Sequence, residues 1–283
     1  MVSIALGNFD GVHLAHKAVL KNAAAYDNSI CLLFDTHPLA VMQGKAPARL
    51  LSREQTEQKI RACGIKRCEY LDFSGVKDLS PEQFFEDILL ARYGAQVISC
   101  GYNYTFGKAR AGDVSLLQKL CRENDVALCV ASEVDYGGES ISSTRIRRCI
   151  ESGEIAQANA MLGYRFFYES EIVQGKQLGR ELGFPTINQY LDEETIKPLS
   201  GVYASIVTLR GQEYRGLTNI GDNPTIGSDA FRSETYLFGF DECAYGETAK
   251  IELTDFIREE KKFDTLEALR AQVLSDVERA KDV

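Results

Sequence analysis

Two histidines three residues apart, His13 and His16, stand in Gly7-Asn8-Phe9-Asp10-Gly11-Val12-His13-Leu14-Ala15-His16, between a short apolar run and a helical pattern that continues through Leu20. A helix that starts just after a glycine presents free backbone N–H groups to a phosphate, and glycine removes the side chain that would block the approach. At that spacing both imidazoles project from one face of the first turn, where they could donate hydrogen bonds to charge building on a phosphoryl group. Taken bare, the same spacing also describes an ordinary surface or core pair. A second stretch, Ile141-Ser142-Ser143-Thr144-Arg145-Ile146-Arg147-Arg148, opens a helix with three hydroxyls and follows them with guanidinium groups one turn on. That combination suits the outer phosphates of a nucleotide, or else a plain hydroxyl cap with a solvated basic face. Between the two, Gly101-Tyr102-Asn103-Tyr104-Thr105-Phe106-Gly107-Lys108 leaves the end of an apolar run, and its aromatics could cover a planar ring or simply close a sheet.

A separate group lies further along. Gly175 to Asn188 is glycine-rich but lacks the order of a P-loop, so it is a different phosphate cradle or an edge turn. If Thr186, Ile187 and Asn188 are extended, the Thr hydroxyl and the Asn carbonyl fall on one side and offer two hard oxygens to a magnesium ion. Glu234, in the alternating run Ser233–Phe238, supplies a carboxylate that could take a proton from an alcohol attacking a γ-phosphate. An exposed strand glutamate without a role has the same appearance.

The elements that must position these groups change character along the chain. Up to about residue 132, apolar runs (3–6, 29–34, 68–72, 97–101, 127–132) alternate with amphipathic stretches, the pattern of parallel strands buried on both faces and joined by helices. Ser52-x-x-Gln55 and Ser80-Pro81-Glu82-Gln83 read as capping boxes, and the stripe Phe84, Phe85, Ile88 and Leu89 reads as core packed on the sheet. Beyond Leu162-Gly163-Tyr164, alternating segments at 201–209, 214–220, 234–240 and 248–257 follow one another with no helices between them, which predicts an antiparallel barrel. A final helix with an Asp264-x-x-Glu267 cap places Leu266, Leu269, Val273 and Val277 on one side, toward that barrel.

At 283 residues the chain has room for two domains of about 150 residues each, here 1–162 and 163–283. Hydrophobic residues at 45% and charged residues at 26% match a globular chain. A net charge of −9 gives no broad surface for a nucleic-acid backbone, so any phosphate must be met locally. No apolar run approaches the ~18 residues of a membrane span, and Met1-Val2-Ser3-Ile4 enters a strand without the basic stretch of a signal peptide. The eight cysteines are mostly far apart, with no C-x-x-C pair, and read as reduced, buried, structural thiols in a cytoplasmic protein.

These motifs, in this order, resemble the bacterial bifunctional riboflavin kinase / FMN adenylyltransferase family, also called FAD synthetase, from residue 2 to about 280. Four motifs match the adenylyltransferase module: Gly7–His16, Phe34-Asp35-Thr36-His37-Pro38, Gly101–Gly107 and Ile141–Arg147. The kinase module's pattern matches Gly179–Asn188 (with Gln177 where the family's first glycine stands), Gly201–Tyr203, Asn219–Thr225, Glu234, Phe240–Gly246 and Arg258–Phe263. The resemblance implies a Rossmann-like α/β nucleotidylyltransferase domain with a parallel sheet, then an antiparallel β-barrel of riboflavin kinase type with a terminal helix. It implies that riboflavin is phosphorylated to FMN and FMN adenylylated to FAD, with ATP as substrate, Mg²⁺ as cofactor and pyrophosphate released.

The same resemblance carries roles to residues. His13 and His16 would act on the ATP phosphates, with Gly7, Phe9 and Gly11 around them. Ser143, Thr144 and Arg147 would hold the triphosphate, and Gly179 and Gly183 the nucleotide of the kinase. Asn103, Phe106 and Arg258 would bind flavin, Thr186 and Asn188 the metal, and Glu234 would be the base. The chain departs from the family at Ala15 and Thr36, where glycine and proline are usual, and in having no segment before the first strand. Those departures keep open a riboflavin kinase whose first module only binds nucleotide or flavin. A non-enzymatic flavin-sensing regulator is a more distant rival, with no use for two sets of phosphate-handling residues.

Overall fold

The computed structural model describes residues 1–175, 179, 183–222 and 231–281. Gln177, Arg180 and the Asn223–Thr225 end of the Asn-x-Gly-x-x-Pro-Thr motif lie outside them. The chain divides into two compact units, Met1–Ser143 and Thr144–Val283.

The first unit is built on five parallel strands, β1 (Val2–Leu6), β2 (Asn28–Phe34), β3 (Arg67–Leu71), β4 (Val97–Gly101) and β5 (Ala127–Ala131), in the order β3-β2-β1-β4-β5. Each expected strand is present within a residue or two. The central runs are apolar throughout because both sheet faces are covered. Ile4, Leu6, Leu32, Ile98 and Cys100 enter one core, and Ala5, Cys31 and Leu33 the other. Helix α1 (Leu14–Ala24) buries Val19, Leu20 and Ala23 in the second core, followed by α2 (Pro38–Gln43), α3 (Arg53–Ala62) and α4 (Phe73–Val76). Both capping boxes form: Ser52 opens α3 and Ser80 opens α5 (Pro81–Gln83), each trading hydrogen bonds with the glutamine three residues on. Helix α5 runs into a π-helical stretch, Phe84–Arg92, which buries Phe84, Phe85 and Leu89 against the sheet as the stripe predicted. Helix α6 (Val114–Glu123) is capped by Asp113, and a short hairpin, β6 (Asp135–Tyr136) with β7 (Glu139–Ser140), precedes Ser143.

Strand order reverses between β1, whose other neighbour is β2, and β4, whose other neighbour is β5. Ligands of open α/β sheets bind at such a switch, outside the carboxyl ends of the strands. The loop Gly7–His13 leaves β1 there and the loop Tyr102–Gly107 leaves β4 beside it.

The second unit opens with the rest of α7 (Ser143–Glu151) and with α8 (Ile155–Leu162). Six antiparallel strands follow: β8 (Phe167–Glu171), β9 (Thr186–Tyr190), β10 (Gly201–Leu209), β11 (Gln212–Asp222), β12 (Phe231–Leu237) and β13 (Thr248–Glu259), in the order β8-β13-β10-β11-β12-β9. The sheet nearly closes into a barrel. Its end strands meet where Val173 N–H donates to the Asn188 carbonyl at 2.8 Å. Tyr203, Val207, Ile220, Ile251 and Leu253 are buried, together with a hydroxyl chain Ser205–Thr218–Thr235 at 2.8 and 2.9 Å. The Asn159 side chain on α8 donates to the Leu253 carbonyl and accepts from Phe166 N–H, so this helix belongs to the barrel.

The terminal helix α9 (Leu266–Lys281) is present, with two differences from expectation. Thr265, not Asp264, caps it, accepting from Ala268 N–H at 3.1 Å, because the first helical residue is Leu266 and the cap must directly precede it. Val273, Val277 and Ala280 pack on Val202, Ala204 and Leu217, but Leu266 is 51% exposed, so the apolar face is uncovered at the helix's N-terminal end. All eight cysteines are free; four are buried, three half-buried, and Cys243 is exposed, unlike the buried set expected.

Candidate functional site

The loop after β1 is conformationally strained. Phe9 (φ 49°), Gly11 (φ 81°) and Val12 (φ 39°) all adopt left-handed backbone, which a β-branched residue adopts only under constraint. Burial supplies the constraint: Phe9 and Val12 are almost fully enclosed in the core. Strain of this kind concentrates where a loop must aim groups at a ligand. Asp10 fastens the turn twice, its carboxylate accepting from Leu50 N–H at 3.0 Å and its carbonyl accepting from the Ser143 hydroxyl at 2.8 Å. Two of the segments singled out from sequence are thereby joined.

His13 is the N-cap of α1, its Nδ1 accepting from His16 N–H at 3.4 Å. A neutral imidazole with Nδ1 as acceptor carries its proton on Nε2. The His13 and His16 rings stack at 3.5 Å between centroids, and Phe9 meets His16 edge-on at 5.3 Å. Phe9 is therefore a buried support beneath His16 and offers no open face to a nucleotide. Burial, with Lys17 adding, lowers the His13 pKa to about 4, and burial with His13 alongside lowers that of His16. Both rings are neutral donors at pH 7. His16 Nδ1 is buried with no hydrogen-bond partner among the described residues.

Sequence reasoning assigned no role to His37. Its Nδ1 caps α2 by accepting from Leu39 N–H at 3.1 Å, and its Nε2 lies 3.1 Å from the Asn8 amide, which links the Phe34–Pro38 motif to the β1 loop. A histidine before a proline at a helix start was the available signal. In the β4 loop, Asn103 is exposed, whereas Phe106 is buried between Phe84 and Tyr104. Phe106 is thus a core support, and the exposed aromatic of the loop is Tyr102, bonded through its hydroxyl to Glu133 at 2.9 Å. Gly107 is required where it stands, since a Cβ there would lie 2.6 Å from Pro81 N. Thr144 and Arg147 occupy the first two turns of α7.

In the second unit, β9 is extended as expected, and Glu234 on β12 is the register partner of Asn188 on β9. Asn188 is buried and its Oδ1 has no partner among the described residues; its Nδ2 reaches the Thr186 carbonyl at 3.4 Å. A Cβ on Gly175 would lie 2.4 Å from that amide, so a side chain at 175 would collide with it. Glu234 is ion-paired with Arg232, two residues earlier on the same strand face, a partner that sequence reasoning passed over. Alternation along β12 was enough to find it. Gly179 accepts from Phe184 N–H at 2.7 Å beside the Thr186 methyl, and Gly183 takes left-handed backbone (φ 88°). Thr186 also lines a cavity of about 110 Å³ with Pro185, Leu237, Phe240 and Tyr245.

Arg258 is bonded to the terminal helix. Its Nε and Nη2 bind the buried Asp276 of α9 at 2.9 and 2.8 Å, and Nη1 donates to the Glu259 carbonyl. Asp276 is completed by Gln272 at 2.9 Å. Through these bonds Arg258 fastens the terminal helix to the barrel, a role that the sequence alone did not suggest beside its expected place in the flavin site.

Comparison with known proteins agrees with this division. A FAD synthetase family model matches residues 1–145 and a riboflavin kinase family model matches residues 162–283. The chain is 34% identical, over 96% of its length and 89% of the relative's, to a bifunctional riboflavin kinase/FMN adenylyltransferase of Listeria monocytogenes. It is 31% identical to the protein of that name in Escherichia coli K12, over 96% and 90% of the two chains. A crystal structure described as a macrolide-efflux protein from Streptococcus pneumoniae superposes with a TM-score of 0.90 at 30% identity, covering 100% of this chain and 94% of that one. Among the described residues no helix is long and apolar enough to cross a membrane.

Proposed function

Because the chain belongs to the family of bifunctional riboflavin kinases/FMN adenylyltransferases, we propose that it carries out both reactions in succession, ATP-dependent phosphorylation of riboflavin to FMN and adenylylation of FMN to FAD. The observation that supports the reading is that one chain holds two separate groups of side chains suited to phosphate chemistry. The stacked His13–His16 pair lies at the switch point of the parallel sheet, and Glu234 stands opposite Asn188 on the barrel. A kinase with an idle first module leaves the strained β1 loop without a purpose, and a regulator needs neither centre.

In the kinase step Glu234 takes the proton of the ribityl 5′-hydroxyl as that oxygen bonds to the γ-phosphorus and the bond to ADP breaks. Arg232 aims the carboxylate before substrate arrives. Thr186 and Asn188 would hold magnesium, a fit supported by the unpartnered, buried Asn188 oxygen, which is a hard donor. The ion supplies neutralisation of phosphate charge when bound. The cavity beside Thr186 receives part of the nucleotide, with Gly179 and Gly183 in the backbone turn next to it.

In the second step an FMN phosphate oxygen attacks the α-phosphorus of a second ATP, the bond to the β-phosphate breaks and pyrophosphate leaves. No proton has to move. The neutral imidazoles of His13 and His16 donate N–H groups to oxygens on which charge develops, from positions set before the reaction. Gly7 and Gly11 leave the loop backbone open, Ser143 bonds to the loop at the Asp10 carbonyl, and Thr144 and Arg147, which follow it in sequence, would bind the outer phosphates. Asn103 contacts the flavin. We take 162/163 as the border of the catalytic modules, with α8 a structural support of the barrel that precedes it, and place the protein in the cytoplasm, where eight free thiols are in keeping with a reducing compartment. The acidic net charge argues against nucleic acid as a partner.

The test is a time course with riboflavin, ATP and Mg²⁺ in which FMN and FAD are resolved chromatographically. FMN should appear first and FAD after it. FMN alone would reduce the protein to a kinase, and neither product would overturn the reading.

A further inference from the structure

Strands β10 and β11 are joined by the two-residue turn Arg210-Gly211, with φ of 54° and 76°. Two left-handed residues in so short a hairpin favour Asn-Gly or Asp-Gly, and arginine is out of place at the first position. Each of the three guanidinium nitrogens is engaged. Nε and Nη2 form a two-pronged bond with the Glu247 carboxylate at 2.8 and 2.7 Å, Nη2 also donates to the Cys243 carbonyl at 2.9 Å, Nη1 pairs with Glu242, and the group lies 5.9 Å from the centre of the Phe240 ring. All of these partners belong to one segment, 240–247, which supplies Phe240, Asp241, Glu242, Cys243, Ala244 and Tyr245 to the wall of the cavity beside Thr186.

Exposed ion pairs contribute little to stability, and Arg210, Glu242 and Glu247 are all substantially exposed. What a planar fork bonded to two carboxylates and a carbonyl does achieve is geometric, since it fixes three points of the loop at once. The far side of the segment is pinned by backbone bonds, Ile172 N–H to the Glu247 carbonyl at 2.8 Å and Gly246 N–H to the Ile172 carbonyl at 2.9 Å. Arg210 supplies the remaining constraint.

We propose that Arg210 is a positioning residue of the kinase centre: its guanidinium clamps the segment 240–247 and so sets the shape of the nucleotide cavity next to Thr186. This rests on the kinase reading of the second unit. Arg210 touches no reacting atom. It acts through the wall, so its loss weakens nucleotide binding in ground state and transition state alike.

The test is Arg210→Asn in the full chain, because asparagine suits left-handed backbone and removes the clamp without straining the turn. With riboflavin saturating, KM for ATP should rise about tenfold while kcat stays within about twofold, the signature of lost uniform binding. Adenylylation of FMN and the melting temperature should not fall. The double change Glu242→Gln with Glu247→Gln should raise KM in the same way. An unchanged KM for ATP in both variants would overturn the proposal, and so would a parallel loss of both activities with a lowered melting temperature. Wild-type protein that makes no FMN would instead overturn the kinase reading.

Discussion

Glu234 and Asn188 are register partners across β12 and β9, so the carboxylate and the unpartnered amide oxygen share one face of the barrel wall. Glu234→Gln keeps the size of the side chain and one carbonyl oxygen but loses the proton acceptor. Riboflavin turnover should fall by roughly 10²- to 10⁴-fold, as for general bases elsewhere. A loose transition state needs little early proton abstraction, so a loss below about tenfold would make Glu234 an orienting group instead. Single-turnover assays at saturating ATP and Mg²⁺ read the difference.

Thr186→Ala and Asn188→Ala should behave otherwise. Each removes an oxygen offered to magnesium and leaves Glu234 in place, so the Mg²⁺ concentration for half-maximal FMN synthesis should rise while the rate at saturating Mg²⁺ is largely recovered. A Mg²⁺ titration that coincides with wild type would remove both residues from the metal site.

The Arg258–Asp276 pair makes a prediction about stability. Asp276 is fully buried, and Asp276→Ala would leave the guanidinium without its charge partner in the interface between α9 and the barrel. Loss of one member of a buried pair costs roughly 3–5 kcal/mol, which denaturant melting of the second unit would detect. If Asp276→Ala melts like wild type, Arg258 is not the fastening assigned to it.

The parallel sheet with its five strands and the barrel with four of its six were legible in the sequence, because strands buried on both faces and strands buried on one carry different periodicities. What the sequence did not show was the surroundings of residues whose contacts lie far away along the chain. Arg258 looks like a ligand-binding guanidinium until Asp276, eighteen positions on, is found against it. The aromatics of the β4 loop could cover a ring or close the sheet, and only the fold shows Phe106, like Phe9, enclosed by the core. Arg232, by contrast, was within reach of simple alternation along β12, and Glu234 drew the attention that its neighbour also merited.

Acid should weaken the first unit through His13. Its folded pKa of about 4 lies below the ordinary value of 6.5, so between those two pH values the unfolded chain binds a proton that the folded chain does not. The stabilisation is complete above pH 6.5 and falls progressively down to pH 4, by about 3 kcal/mol for this one group. Denaturant melts of His13→Ala and wild type across that range should converge toward pH 4. Parallel curves would show that His13 titrates as an exposed residue.

The barrel should also be separable. Residues 144–283 should fold alone and make FMN but no FAD, and 163–283, which lacks Asn159 and its bonds to Leu253 and Phe166, should melt lower yet keep the activity. Circular dichroism and product analysis of the two fragments check this. A folded 144–283 that makes no FMN would contradict the assignment of the kinase to this unit.

The most direct test of two independent centres in one chain uses His16→Ala and Glu234→Gln side by side, with riboflavin or FMN as the starting flavin. His16→Ala should convert riboflavin to FMN at the wild-type rate and stop there, losing on the order of 10²-fold in FAD synthesis. Glu234→Gln should stall on riboflavin but turn FMN into FAD normally. Mixed, the two variants should carry riboflavin through to FAD. If either substitution abolishes both reactions, or the mixture makes no FAD, the division of labour argued from the His13–His16 stack and the Glu234–Asn188 pair is wrong.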